Sequence, residues 1–182
     1  MPYIFAMNRG CYLEPSGFNS KKPCGIDNKT NILYVYDRGM CLIIERQDVK
    51  RRRSGGMTVK TILIVDDEAI WVKLLSRLFS YYGYAVVAAR SCAQGLEALR
   101  QNRIDCAVLD FDLGDASGAV ICAAIRDKDS GIKTPVIIFS AYPDAKICLS
   151  GPRRADKVIF KDTSLTELPR ILAGLFQMQR LS

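Results

Sequence analysis

Four short apolar runs in the last two thirds of the chain each lead into a reactive polar residue. Ile62-Leu63-Ile64-Val65 leads into Asp66, Asp67 and Glu68; Cys106-Ala107-Val108-Leu109 into Asp110; Val136-Ile137-Ile138-Phe139 into Ser140; and Val158-Ile159-Phe160 into Lys161. Uninterrupted apolar runs of this length suit strands buried on both faces, as in a parallel sheet covered by helices. The pattern predicts strands near 61–65, 84–88, 105–109, 135–139 and 157–160. Between them, Ala69 to Tyr82 carries Trp71, Leu74, Leu75 and Leu78 at helical spacing, and Gly83 ends that helix. Shorter helical patterns follow at Ala93 to Arg100, Gly118 to Arg126 and Asp144 to Leu149. The last helix is expected from about Ser164 to Gln177, burying Leu168, Ile171, Leu172 and Leu175. Ser164 and Glu167 fit a capping box there, whereas Pro169 removes a donor one turn in and moves the start toward Thr166.

Strand and helix patterns that alternate in this way predict an α/β fold, a doubly wound five-stranded parallel sheet flanked by helices on both faces. Ligands of such sheets bind beyond the carboxyl ends of the strands. The reactive residues at the ends of the runs therefore converge on one edge.

Residues 1–56 read differently. Asn31 to Glu45 has the form of a hairpin, with ILYVY and MCLIIE flanking Asp37-Arg38-Gly39, but the stretch before it is rich in turn formers and has no period. Lys50-Arg51-Arg52-Arg53-Ser54-Gly55-Gly56 reads as a flexible basic linker. The expectation is a basic N-terminal extension of low order over 1–56, lying upstream of a natural start at Met57, and a single α/β domain over 57–182. With only a handful of residues after the last helix, no C-terminal output domain is expected.

Charge changes the picture only once it is divided. The net charge is +7, but residues 1–56 hold 10 Lys and Arg against 5 Asp and Glu, and residues 57–182 hold 16 against 14. The α/β part is nearly neutral, which argues against a DNA-binding domain. No apolar stretch reaches the roughly 18 residues of a membrane helix, so a cytoplasmic protein without a membrane segment is expected. The seven cysteines form no CxxC pair, and Cys92, Cys106, Cys122 and Cys148 fall inside apolar patterns, as reduced buried thiols do. The chain has no histidine. That excludes a Ser-His-Asp triad, histidine metal ligands and a phosphohistidine of its own.

Residues 57–182 resemble the receiver domain of two-component response regulators, with its flavodoxin-like sheet. The resemblance lies in the set: an acid pair ending strand 1, an Asp ending strand 3, a hydroxyl residue ending strand 4 and a Lys ending strand 5. The spacings agree, with 43 residues from Asp67 to Asp110, 30 from Asp110 to Ser140 and 21 from Ser140 to Lys161. The resemblance implies that Asp110 is the phosphoacceptor. It also implies that Asp67, Asp110 and the backbone carbonyl of Asp112 ligate Mg²⁺, or Mn²⁺ in its place, with Asp66 acting through metal-bound water. Ser140 and Lys161 would contact the phosphoryl group. Asp112 and Tyr142, each two residues beyond a key residue, would tune dephosphorylation. The donor would be a sensor histidine kinase or a histidine phosphotransfer protein, and the chain would be a switch rather than an enzyme. A downstream protein would dock on the face of the fourth and fifth helices and the fifth strand, where Arg153, Arg154, Phe176 and Met178 are candidates.

Elementary chemistry agrees with these roles. Two carboxylates about 4 Å apart repel by roughly 1 to 4 kcal/mol, so three of them call for a counter-ion. A hard divalent cation that retains water and accepts phosphate oxygens fits Mg²⁺ better than Zn²⁺. The chain departs from the family at three points. Asp162 replaces the proline that usually follows the lysine, Val158 replaces the usual aromatic three before it, and Asp112 to Gly118 lacks the common Met-Pro. Two other readings fit the same residues. One is a degenerate receiver acting as a phosphate-independent interaction module. The other is a phosphatase of the haloacid-dehalogenase type, which Asp110-Phe111-Asp112 resembles.

Overall fold

The computed structural model describes residues 24–27, 32–37, 40–45, 59–128, 133–163 and 165–179. The chain divides into two compact units, residues 1–55 and 56–182. In the first, Ile32–Asp37 pairs antiparallel with Met40–Glu45, as the hairpin pattern predicts, and Asp37 stands opposite Met40 across a two-residue connection. Cys24–Asp27 adds a third antiparallel strand on the free edge of Ile32–Asp37. It lies in a stretch whose turn formers masked it, because four residues are too few to show an alternation. The basic run at 50–56 lies outside the described residues.

The second unit is a five-stranded sheet of β1 (Thr61–Val65), β2 (Ala85–Ala89), β3 (Cys106–Leu109), β4 (Val136–Ser140) and β5 (Lys157–Phe160). All four strand pairings are parallel, in the order β2-β1-β3-β4-β5. The helices are α1 (Ala69–Tyr81), α2 (Cys92–Gln101), α3 (Gly118–Lys128) and α4 (Leu168–Met178). The central runs are fully buried: Ile62 to Val65, Cys106 to Leu109 and Val136 to Phe139 expose almost nothing. Alternate residues point to opposite layers. Leu63, Val65, Leu109 and Ile138 join Ile121, Cys122 and Ile125 of α3 and Cys92 of α2 in one core. On the other face Phe139 meets Trp71 of α1 edge to face, with ring centroids 5.3 Å apart.

Two helical segments differ from their sequence patterns. Pro143–Leu149 is a 3₁₀ helix rather than an α-helix. Its buried residues are Ala145 and Cys148, a spacing of three that eclipses on a 3₁₀ helix, and Gly151 at φ 82° turns the chain out soon afterwards. The α-helix α4 starts at Leu168 rather than Ser164 or Thr166, after a 3₁₀ turn over Leu165–Glu167. Glu167 occupies the N-cap position and makes no side-chain cap, and Ser164, the other member of the expected capping box, lies outside the described residues. Pro169 falls in the first turn, where its missing N–H has no intrahelical partner to lose. Phe176 is a further correction: it is buried, with Tyr84 at 6.1 Å between ring centroids and the Lys60 ammonium 4.6 Å from its ring, so it does not offer a docking surface. Ile171 and Leu175 are only half-buried in its place.

Gly118 opens α3 directly behind the end of β3. A Cβ built there would lie 2.0 Å from the Asp110 carbonyl oxygen, a backbone atom that cannot step aside. Gly118→Ala is therefore expected to cost roughly 3 kcal/mol. Urea denaturation followed by the single tryptophan, Trp71, measures this for the α/β unit alone. A loss below about 0.5 kcal/mol would show that this close approach is not a constraint.

Candidate functional site

The sheet ladder carries its reactive residues as backbone extensions of the strands. Asp66 N–H donates to the Ala89 carbonyl at 3.3 Å, Asp110 N–H to the Val65 carbonyl at 2.8 Å, and Lys161 N–H to the Ser140 carbonyl at 2.9 Å. Each residue just past a strand is thus fixed by the neighbouring strand. Asp66, Asp110, Ser140 and Lys161 are all buried, although their types favour the surface. Asp67 and Glu68 are exposed at the rim.

The Lys161 ammonium lies among three carboxylates, 2.6 Å from Asp110 Oδ2, 2.9 Å from Asp66 Oδ2 and 3.3 Å from Glu68 Oε1. It also stands 5.4 Å from the centroid of the Trp71 ring. Asp66 Oδ1 accepts from Glu68 N–H at 3.0 Å, and Asp110 Oδ1 from Phe111 N–H at 2.6 Å. Burial pushes the Asp66 carboxyl up to about 6 against the partial compensation of Lys161, and it raises Asp110 in the same way. Burial alone would lower Lys161, but its hydrogen bond to Asp110 and the close negative charges of Asp66 and Asp110 outweigh it, so its ammonium is held above the usual range.

Oxygens of Asp66, Asp67 and Asp110 come within 4.8 Å of one another. Asp66 Oδ2 is buried and has no aligned hydrogen-bond donor, because the Lys161 ammonium beside it is a charge partner outside hydrogen-bonding geometry. A buried carboxylate oxygen without a donor, among donors that are all oxygen, fits a hard divalent cation.

The sequence-predicted residues thus converge, with differences in placement. Asp66, Asp67, Asp110 and Lys161 form the cluster itself. Ser140 lies at the end of β4, and its Oγ accepts from Tyr142 N–H at 3.1 Å. Asp112 sits in the β3–α3 loop, where it bridges to Ser117 and its Oδ1 accepts from Gly114 N–H at 3.2 Å. Tyr142 is exposed beyond Ser140. Asp162 is exposed and Val158 is half-buried against the α2 and α3 core. Sequence reasoning missed Glu68 as a partner of Lys161. It also missed Arg90, whose Nη2 donates to the Asp67 carbonyl at 2.7 Å, and Asp115, which binds the start of α2. Glu68 directly follows the acid pair and was legible by position, whereas Arg90 and Asp115 act across loops that no local pattern connects.

The sequence profile of the response regulator receiver domain matches residues 62–173. TcrX of Mycobacterium tuberculosis, a probable transcriptional regulatory protein, is 29% identical over 127 residues, covering 69% of this chain and 53% of TcrX. The chain therefore spans about half the length of that curated relative. Among solved structures, a receiver domain protein from Methanospirillum hungatei has a similar fold, with a TM-score of 0.62 at 22% identity over 68% of this chain and 98% of its own. TrrA, a response regulator of Thermotoga maritima solved with Mg²⁺ and BeF, gives a TM-score of 0.58 at 27% identity over 64% of this chain and 99% of its own.

The raised Asp66 carboxyl has a measurable consequence in cation-free buffer. Its folded pKa of about 6 exceeds the ordinary 3.8, so the folded chain holds this proton more tightly than the unfolded one. Stability is then expected to rise as pH falls from about 7 to about 4. Asp66→Asn should raise stability at neutral pH by on the order of 2 kcal/mol and flatten that rise. Urea midpoints across this pH range check it, and an unchanged slope in the variant would contradict it.

Proposed function

The chain belongs to the response regulator receiver domain family, and we propose that it is a phosphorylation switch of two-component signalling in which Asp110 accepts the phosphoryl group. The observation that carries this reading is the Lys161 ammonium 2.6 Å from the buried Asp110 carboxylate, at the edge where Asp66 and Asp67 converge. The donor is a phosphohistidine of a histidine kinase or a histidine phosphotransfer protein, since this chain has no histidine.

In this reading an Asp110 carboxylate oxygen bonds to phosphorus as the phosphorus–nitrogen bond of the donor breaks, and the departing imidazole takes up a proton from water. Such transfer depends on in-line positioning and on neutralising the three equatorial oxygens. Lys161 holds one positive charge at the site, and Ser140 offers a hydroxyl at the end of β4. Asp67, Asp110 and the Asp112 carbonyl would hold Mg²⁺, with Asp66 contributing through its water. The ion, when bound, supplies charge neutralisation of carboxylate and phosphate oxygens. Asp112 and Tyr142 flank the path of attacking water and tune the lifetime of the acyl phosphate. The phosphorylated domain signals by protein contact or passes its phosphate onward, acting without turnover of its own.

A second reading, a receiver that serves as a phosphate-independent interaction module, draws on one observation. Val158 stands where the family usually carries an aromatic residue, and here it packs into the α2 and α3 core. One experiment separates the two. Intact-mass analysis after incubation with Mg²⁺ and a small phosphodonor is expected to show gain of a single phosphoryl group, lost in Asp110→Asn. Absence of any gain, with Mg²⁺ binding demonstrated separately, would favour the interaction module.

A further inference from the structure

The two loops that bring acids to the site are held by a third element. The loop after β1 carries Asp67, and the loop after β3 carries Asp112 to Ser117. They face one another closely: a Cβ on Gly114, at φ 73°, would lie 4.0 Å from Asp67 Oδ2. Both loops are tied to the beginning of α2. From one side, Arg90 Nη2 donates to the Asp67 carbonyl at 2.7 Å, while the Arg90 N–H is held by Gln94 Oε1 at 2.9 Å. From the other, the Asp115 carboxylate accepts Cys92 N–H at 2.8 Å and Ala93 N–H at 3.1 Å. Ser91, the N-cap, takes Gln94 N–H on its Oγ at 3.2 Å. The first amides of α2 thus find partners, two of them on a carboxylate from the opposite loop. Those two amides hold the Asp115 carboxyl below its usual range.

Arg90 poses a physical puzzle that its hydrogen bond resolves. A cation beside a carboxylate cluster opposes uptake of another cation, so on charge alone Arg90 works against the site. Its guanidinium is instead spent on a backbone carbonyl, that of Asp67 itself. The bond fixes the peptide from which the Asp67 side chain departs.

We propose that the N-terminal turn of α2 is a brace between the two acid-bearing loops, with Arg90 and Asp115 as positioning residues that set the spacing of Asp67 and Asp110 for a divalent cation. This rests on the cation-dependent reading of the site given above. Neither residue touches the cation or the reacting atoms. Each acts through a ligand-bearing loop.

The test uses the full-length chain and Mg²⁺ alone, with the dissociation constant read by calorimetric titration and by Trp71 fluorescence. Arg90→Gln is expected to weaken Mg²⁺ binding about tenfold, the lower end of what loss of an outer-shell partner costs. A pure charge effect predicts the opposite sign, because removing a positive group beside the acids tightens cation binding. Arg90→Lys keeps the charge but loses the planar fork, and should also weaken binding. Asp115→Ala is expected to act in the same direction, and the double variant to fall short of the product of the two single effects, as members of one brace do. Circular dichroism and thermal midpoints establish that each variant is folded. Binding that is unchanged or tighter in Arg90→Gln, while the unaltered protein binds Mg²⁺, would overturn the brace and leave the functional reading intact. No Mg²⁺ binding by the unaltered protein would overturn both.

Discussion

A buried lysine shared by buried acids is the constraint on which the rest of this structure depends. Burying an ion costs several kcal/mol, and the loss is recovered only with close, well-placed partners. Lys161 has Asp110, Asp66 and Glu68 within 3.3 Å, and the strands place them there. The parallel sheet aligns the ends of β1, β3 and β5 at one edge, and ladder hydrogen bonds run on to Asp110 and Lys161 themselves. The almost completely buried runs of β1, β3 and β4 keep that edge of the sheet from drifting. The core therefore serves the site as a rigid mount, and the site charges the fold for it through raised carboxyl groups at Asp66 and Asp110. A site that destabilises its own resting state in this way responds strongly to any added positive charge.

Much of this was legible in the sequence because the signal was redundant. Each of the four apolar runs became a central or flanking strand within about a residue of its expected bounds, since uninterrupted apolar runs between helical patterns admit few other arrangements. Asp66, Asp67, Asp110 and Lys161 followed from their positions at the ends of those runs. What the sequence hid was set by tertiary packing or by short range. The 3₁₀ geometry of Pro143–Leu149 depends on which of its residues the core accepts. α4 starts at Leu168, after a 3₁₀ turn over Leu165–Glu167 that helical spacing alone does not distinguish from the helix itself. Phe176 looked like a surface aromatic because its partners, Tyr84 and Lys60, lie some ninety residues or more away in the chain. Arg90 and Asp115 were invisible for the same reason.

The departures from the family pattern concentrate on β5 and its loop. Val158 pairs with Ile138 in the sheet and packs inward, while Phe160, opposite Ser140, lines a pocket of about 340 Å³ with Ala141, Pro143, Lys146, Lys161 and Asp162. Bulk on this strand thus lies nearer the site than the family pattern places it. The peptide bond between Lys161 and Asp162 is trans, as are all described peptide bonds.

Asp66, Asp67 and Asp110 set three carboxylates against the one ammonium of Lys161, which leaves negative charge for a divalent cation to neutralise. The most direct measurement is the urea midpoint of the full chain at neutral pH, followed through Trp71, in saturating MgCl₂ against EDTA at matched ionic strength. Mg²⁺ is expected to raise the midpoint, with a stabilisation that grows with the logarithm of its concentration, as binding to the folded state alone requires. A midpoint indifferent to Mg²⁺ would show that Lys161 balances the cluster by itself, and would contradict its completion by a divalent cation.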